Sequence, residues 1–93
     1  MARTHRQYKL DANHREILAG LRAAGIVAYS IASAGDGIPD IIAGKAGVNY
    51  LLEVKGGMAK PTRKEAQFAL TWPGQYAIVR NLDEALRTMR RRQ

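Results

Sequence analysis

Ninety-three residues, 46% hydrophobic and 25% charged, describe one ordinary globular domain, because chains divide at roughly 100 to 200 residues per domain and disordered segments are less apolar. The absence of cysteine excludes disulfide scaffolds and thiolate zinc sites, and no apolar run approaches the roughly 20 residues of a membrane span or is placed as a secretory leader, so a cytoplasmic location is expected. Fifteen Lys and Arg against eight Asp and Glu give a net charge of +7, a field that attracts polyanions, nucleic acid first, although an acidic protein partner would answer the same charge.

Residues 1–10, with Arg3, His5, Arg6 and Lys9, have little apolar content and read as a flexible basic arm. From Asp11 the pattern changes: Ile17, Leu18, Leu21 and Ala24 recur at helical spacing, which predicts an amphipathic helix over 12–25 with Asp11 or Asn13 as N-cap and Gly25 as its stop. The β-branched and aromatic run 26–32 predicts a strand, closed by "SAGDG". A second strand is expected over 38–44 and a third over 48–56, joined by the "KAG" turn. After the "GGMAKP" loop, Thr62 and Glu65 have the spacing of a capping box for a helix over 63–72, which Pro73 and Gly74 end. "QYAIV" is a short strand. Asn81 and Glu84 open a last helix that runs into a basic tail at 88–93. The expected fold class is therefore α/β in the order α-β-β-β-α-β-α, one domain over 1–93 with helices flanking a central sheet. A domain this short buries only about 60 to 65% of its unfolded surface, so homodimerisation is expected as a way to add buried area.

Two stretches place charge where apolar residues would be expected: "GIPDII" at 37–42 and "LLEVK" at 51–55. Alternation along the third strand puts Leu51, Glu53 and Lys55 on one face. Asp40 opens the partner strand, so the hairpin can bring it close to Glu53. Two carboxylates at close range in a partly dry setting persist only with a proton or a cation between them, and oxygen ligands without cysteine specify a hard ion, Mg²⁺ or Mn²⁺. An exposed strand end carrying an ordinary Glu and Lys is the rival reading.

Pro39-Asp40 followed thirteen residues later by Glu53-Val54-Lys55 resembles the signature of the PD-(D/E)XK nucleases. With "EVKGG" and a helix bearing Gln67, the chain is similar to the VRR-NUC branch, small domains found alone in phages and fused to larger repair nucleases. The similarity spans roughly residues 12 to 85. It implies a restriction-endonuclease-like core with a mixed sheet and a Mg²⁺- or Mn²⁺-dependent endonuclease acting on DNA, with structured substrates such as four-way junctions within reach of a dimer; the stand-alone size suggests a phage or mobile-element origin, phage-encoded in a bacterial host. It further implies that Asp40, Glu53 and the Val54 carbonyl hold the metal, and that Lys55 orients the attacking water and stabilises charge on the phosphate. Glu16 matches the family's first-helix acid and would complete the site or hold a second ion; complementing the helix N-terminus is its alternative role. Gln67 would face the site, or be an ordinary surface glutamine.

Arg3, Arg6, Lys9, Lys60, Arg63 and Lys64 are the candidate phosphate contacts. With four Tyr, one Trp and one Phe, stacking platforms are scarce, so backbone charge and DNA shape are expected to dominate over base readout. His5 and His14 lack a third ligand, no serine has a paired base, and "GKAG" lacks the longer phosphate-loop frame. Asp36 reads as a turn residue. A basic binding module without catalysis on the same scaffold is the alternative function.

Overall fold

The computed structural model describes residues 5–90, with side chains from residue 11 onward. It is a small α/β domain: a mixed four-stranded sheet with three helices. The elements are α1 (His5–Ala23), β1 (Val27–Ser30), a 3₁₀ turn at Ala32–Ala34, β2 (Ile41–Lys45), β3 (Val48–Val54), α2 (Arg63–Thr71), β4 (Tyr76–Val79) and α3 (Leu82–Arg90). The strand order is β1-β2-β3-β4. The first three strands pair antiparallel, and β4 joins β3 in parallel after the α2 crossover.

α1 begins earlier than periodicity suggests, which corrects the expected arm: His5 to Leu10 are helical backbone, and Asp11 and Asn13 lie inside the helix rather than at its cap. Arg3 lies outside the described residues, as do the side chains of Arg6 and Lys9. The expected C-terminus holds. Gly25, at φ +81°, donates its N–H to Arg22 O (3.0 Å) while Ile26 N–H reaches Leu21 O (3.0 Å), a Schellman closure that needs a left-handed residue at that position. Lys45 Nζ caps the Ala24 carbonyl (3.1 Å), and Arg22 Nε bonds Ala28 O (3.0 Å).

α2 carries the expected box: Thr62 Oγ1 accepts from Glu65 N–H (3.3 Å) and Glu65 Oε1 accepts from Thr62 N–H (2.7 Å). At α3, Asn81 Oδ1 accepts from Glu84 N–H (2.8 Å), but Glu84 reaches one residue further back, to Arg80 N–H (2.8 Å). The expected tail at 88–93 is in part the last turn of α3, with Thr88 and Met89 buried; residues 91–93 lie outside the described residues.

One face of the sheet makes the core. Ala28, Ile41, Ala43, Leu52, Val54 and Val79 meet Ile17 and Leu21 of α1 and Ala85 and Met89 of α3. Each fully buried Ile, Leu or Val is worth about 1.5 to 3 kcal/mol of transfer free energy. The opposite face is treated unevenly. α2, which buries none of its own residues, covers the β3–β4 half through Phe68, whose ring lies 6.1 Å from Tyr76 and 5.4 Å from Trp72. The β1–β2 half stays open, leaving Val27, Tyr29 and Ile42 exposed. No described helix is long and apolar enough to cross a membrane.

Candidate active site

The hairpin of β2 and β3 decides what meets what. Its two turn residues, Ala46 (φ 52°) and Gly47 (φ 81°), are both left-handed, the conformation of a two-residue turn that matches strand twist. That turn pairs Ile41 with Leu52, so Asp40, one residue outward, stands across from Glu53. The pairing continues through Asp40 N–H to Leu52 O (3.0 Å). Asp40 Oδ2 then accepts from Val54 N–H (2.7 Å), which fixes the carboxylate over the end of β3. Alternation places Glu53 and Lys55 on the face away from the core, beneath α2.

These residues line a cleft of about 340 Å³ with Asp11 and His14 of α1, Ala32, Ala59, Lys60, Thr62 and Glu65. Glu53 is buried, at 2% exposure. Its Oε1 has no hydrogen-bond partner. Lys55 Nζ lies 2.6 Å from Glu65 Oε1, the same oxygen that accepts from Thr62 N–H. The helix cap and the lysine therefore share one acceptor, so the box that starts α2 also holds the Glu65 carboxylate against Lys55.

Burial, first of all, and then a hydrogen bond with Asp40 and the charges of Asp40 and Glu65 push the Glu53 carboxyl up to about 9, against a smaller downward pull from Lys55. Glu65 moves the other way. Its burial favours the neutral acid, but the hydrogen bonds from Lys55 and Thr62 together outweigh it and hold the carboxyl below its usual range. Tyr76, on the same sheet face, is raised to about 12 by burial and then by Glu53, Glu65 and Asp40, and its hydroxyl also lacks a partner.

Asp40, Glu53, Val54 and Lys55 are thus brought together, as the sequence predicts. Glu16 and Gln67 are not: both are exposed and neither lines the cleft. At 100° per residue, Glu16 sits about 200° around α1 from His14. The α1 side chains facing the cleft are Asp11 and His14, with His14 Nε2 3.1 Å from Ser30 Oγ. Their i, i+3 spacing is the signal that could have found them, but it is visible only if the helix starts before Asp11. On α2 the cleft-facing residue is Glu65 rather than Gln67. Of the basic candidates, Lys60 lines the cleft, Arg63 is exposed, and Lys64 pairs with Asp36 (3.4 Å).

The chain matches no protein-family model and no curated protein. Among the described residues no group of three or more His, Asp or Glu side chains converges as a cation cage, so a cation here would draw on the two carboxylates, a main-chain oxygen and water. The donor set fits a hard ion: two oxygen acids face one another across the cleft, and one oxygen of the buried Glu53 carboxyl is left unsatisfied, a state that elsewhere costs about 1 to 3 kcal/mol.

Proposed function

We propose that the protein is a metal-dependent endonuclease that hydrolyses phosphodiester bonds in DNA, built on a PD-(D/E)XK core similar to the VRR-NUC domains. The observation that carries this reading is the meeting of half-buried Asp40 with buried Glu53, with an unsatisfied Glu53 oxygen and Lys55 at the same cleft. The α-β-β-β-α-β order and the parallel β3–β4 pairing support it, as does the +7 charge.

In this reading Asp40, Glu53 and the Val54 carbonyl would hold Mg²⁺ or Mn²⁺, which when bound would supply Lewis-acid polarisation of a phosphoryl oxygen and a more acidic water. The chain's own groups do the rest. The Val54 N–H holds the Asp40 carboxylate in place, so this ligand is oriented before substrate arrives. Glu65 anchors Lys55, which orients the attacking water and sets positive charge beside the phosphate where negative charge grows. Lys60, on the cleft wall, offers a phosphate contact. DNA is the partner, and self-association of two copies would present two sites to opposing strands of a branched substrate.

The test is cleavage of labelled duplex, nicked, flap and four-way junction DNA with Mg²⁺, Mn²⁺ or EDTA. Wild type should cut with metal only, and Lys55→Ala should lose at least about a hundredfold in rate. Equal cleavage by the two proteins, or cleavage in EDTA, would overturn the assignment. Salt-sensitive DNA binding with no turnover under any metal would favour the non-catalytic module instead.

A further inference from the structure

Beside the cleft, the loop 56–61 carries Met58 at 93% exposure, the highest among the exposed large hydrophobics. A lone exposed methionine needs no explanation by itself. What surrounds this one does. Arg80, at the end of β4, turns its guanidinium into the protein: Nη1 donates to both Gly57 O (3.0 Å) and Ala59 O (2.8 Å), the carbonyls on either side of Met58. Arg80 is itself fixed at both backbone ends, its N–H bonded to Glu84 Oε1 (2.8 Å) and its carbonyl accepting from Asn13 Nδ2 (3.1 Å). Within the loop, Ala59 N–H closes a turn on Gly56 O (3.0 Å), and Pro61 stiffens the approach to α2.

Ordering a loop that contains Gly56 and Gly57 has a large entropic cost. Here one arginine, tied to α1 and α3, orders a tip whose apolar side chain is 93% exposed, while Ala59 and Lys60 immediately after it line the cleft. Such preorganisation is useful only toward a partner. A protein partner is a poor fit, because one methionine offers little of the roughly 800 Å² that each side of a stable interface buries. A base step admits one thin, unbranched apolar side chain, and methionine is a known wedge residue of proteins that kink DNA.

The geometry points to the 56–61 loop as a wedge that enters DNA at an unstacked base step, with Met58 inserted, Lys60 anchoring the adjacent phosphate and Arg80 as the positioning residue that braces the tip. This deepens the nuclease reading on which it rests: the favoured substrate is DNA already interrupted by a nick or branch, where unstacking is cheapest.

The test is binding in EDTA, so that no strand is cut, to a duplex with 2-aminopurine beside a nick and to the same duplex without the nick. Wild type should bind the nicked form about tenfold more tightly and raise the 2-aminopurine fluorescence. Met58→Ala should bring that ratio to near one while melting like wild type and binding continuous duplex within about twofold; Met58→Leu should keep most of the preference. Arg80→Gln should lose the preference although Met58 is present, and if that variant does not fold, Met58→Ala alone decides. An unchanged ratio in Met58→Ala, or no preference in wild type, overturns the wedge. Metal-dependent cleavage by a protein without the preference would leave the nuclease standing, whereas a Met58-dependent preference without cleavage would do the reverse.

Discussion

Glu53 sits where an ionised carboxylate is expensive: buried, facing Asp40, with one oxygen unsatisfied. Its carboxyl is raised from an ordinary 4.5 to about 9 in the folded protein, so between those values the native state binds a proton that the unfolded chain does not. The associated stability is complete below about pH 4.5 and is lost as pH rises through about 9. In EDTA, the melting temperature of wild type should therefore fall from pH 5 to 9 relative to Glu53→Gln, whose neutral amide has nothing to ionise. Thermal denaturation of both proteins checks this, and parallel pH profiles would contradict it. Excess Mn²⁺ should restore wild type alone, since an ion that binds only the folded state stabilises it by mass action. Binding at pH 7 should also release about one proton, measurable by titration calorimetry in buffers of different ionisation enthalpy.

Glu65 has the opposite sign. Held below its usual range by Lys55 and Thr62, it contributes stability that is present above the ordinary carboxylate value and lost as pH falls through its lower folded one. In the proposed mechanism Glu65 acts through Lys55, so Glu65→Gln should reduce cleavage roughly ten- to a hundredfold while leaving Mn²⁺ affinity within about threefold of wild type. Equal losses in both would place Glu65 among the metal ligands instead.

At the scale of the elements, the site depends on backbone conformations that local chemistry explains. Gly37, at φ +77°, lets the loop before β2 lie against the N-terminus of α2, where a Cβ would run into the Lys64 carbonyl. Gly37→Ala should destabilise the fold by about 1 to 3 kcal/mol in denaturant titrations, and should weaken activity because this contact locates Glu65 relative to Asp40. Ala46 is the converse, an alanine in a left-handed turn. Ala46→Gly should stabilise by about 1 kcal/mol with no change in cleavage.

Strands, turns and the α2 box were legible because each rests on neighbours in sequence: β-branched runs, Gly and Pro stops, Thr62 with Glu65. The convergence of Asp40 and Glu53 was legible for the same reason, a short turn between neighbouring strands, but Lys45, expected in that turn, pairs with Val48 and leaves only Ala46 and Gly47 to make it. What escaped was set at longer range. α1 starts in a polar stretch, where periodicity carries no signal, so Asp11 reads as an N-cap candidate and Glu16 as the first-helix acid, whereas Asp11 and His14 are the α1 residues at the cleft. Gln67 and Glu65 share one short helix, and only the packing of α2 on the sheet chooses between them. Arg80, outwardly one more cation, is tied by hydrogen bonds to residues 21 to 67 positions away in the chain.

For the whole molecule, charge and openness make separate predictions. The net +7 implies counterion release on DNA binding, so affinity should fall steeply and linearly in log–log form with salt. Lys60→Ala should reduce that slope by about one and weaken all sequences alike. The expected dimer is checked by sedimentation at micromolar concentration; a species at the 10.2 kDa of one chain would contradict it and leave each copy to cut a single strand. None of this depends on the central chemical claim, that Asp40 and Glu53 share one divalent cation. The most direct measurement of that claim is anomalous diffraction from a crystal soaked in Mn²⁺. A single strong peak within bonding distance of both carboxylates is the predicted result; a map with no peak there, or with manganese only at other acids, would contradict it.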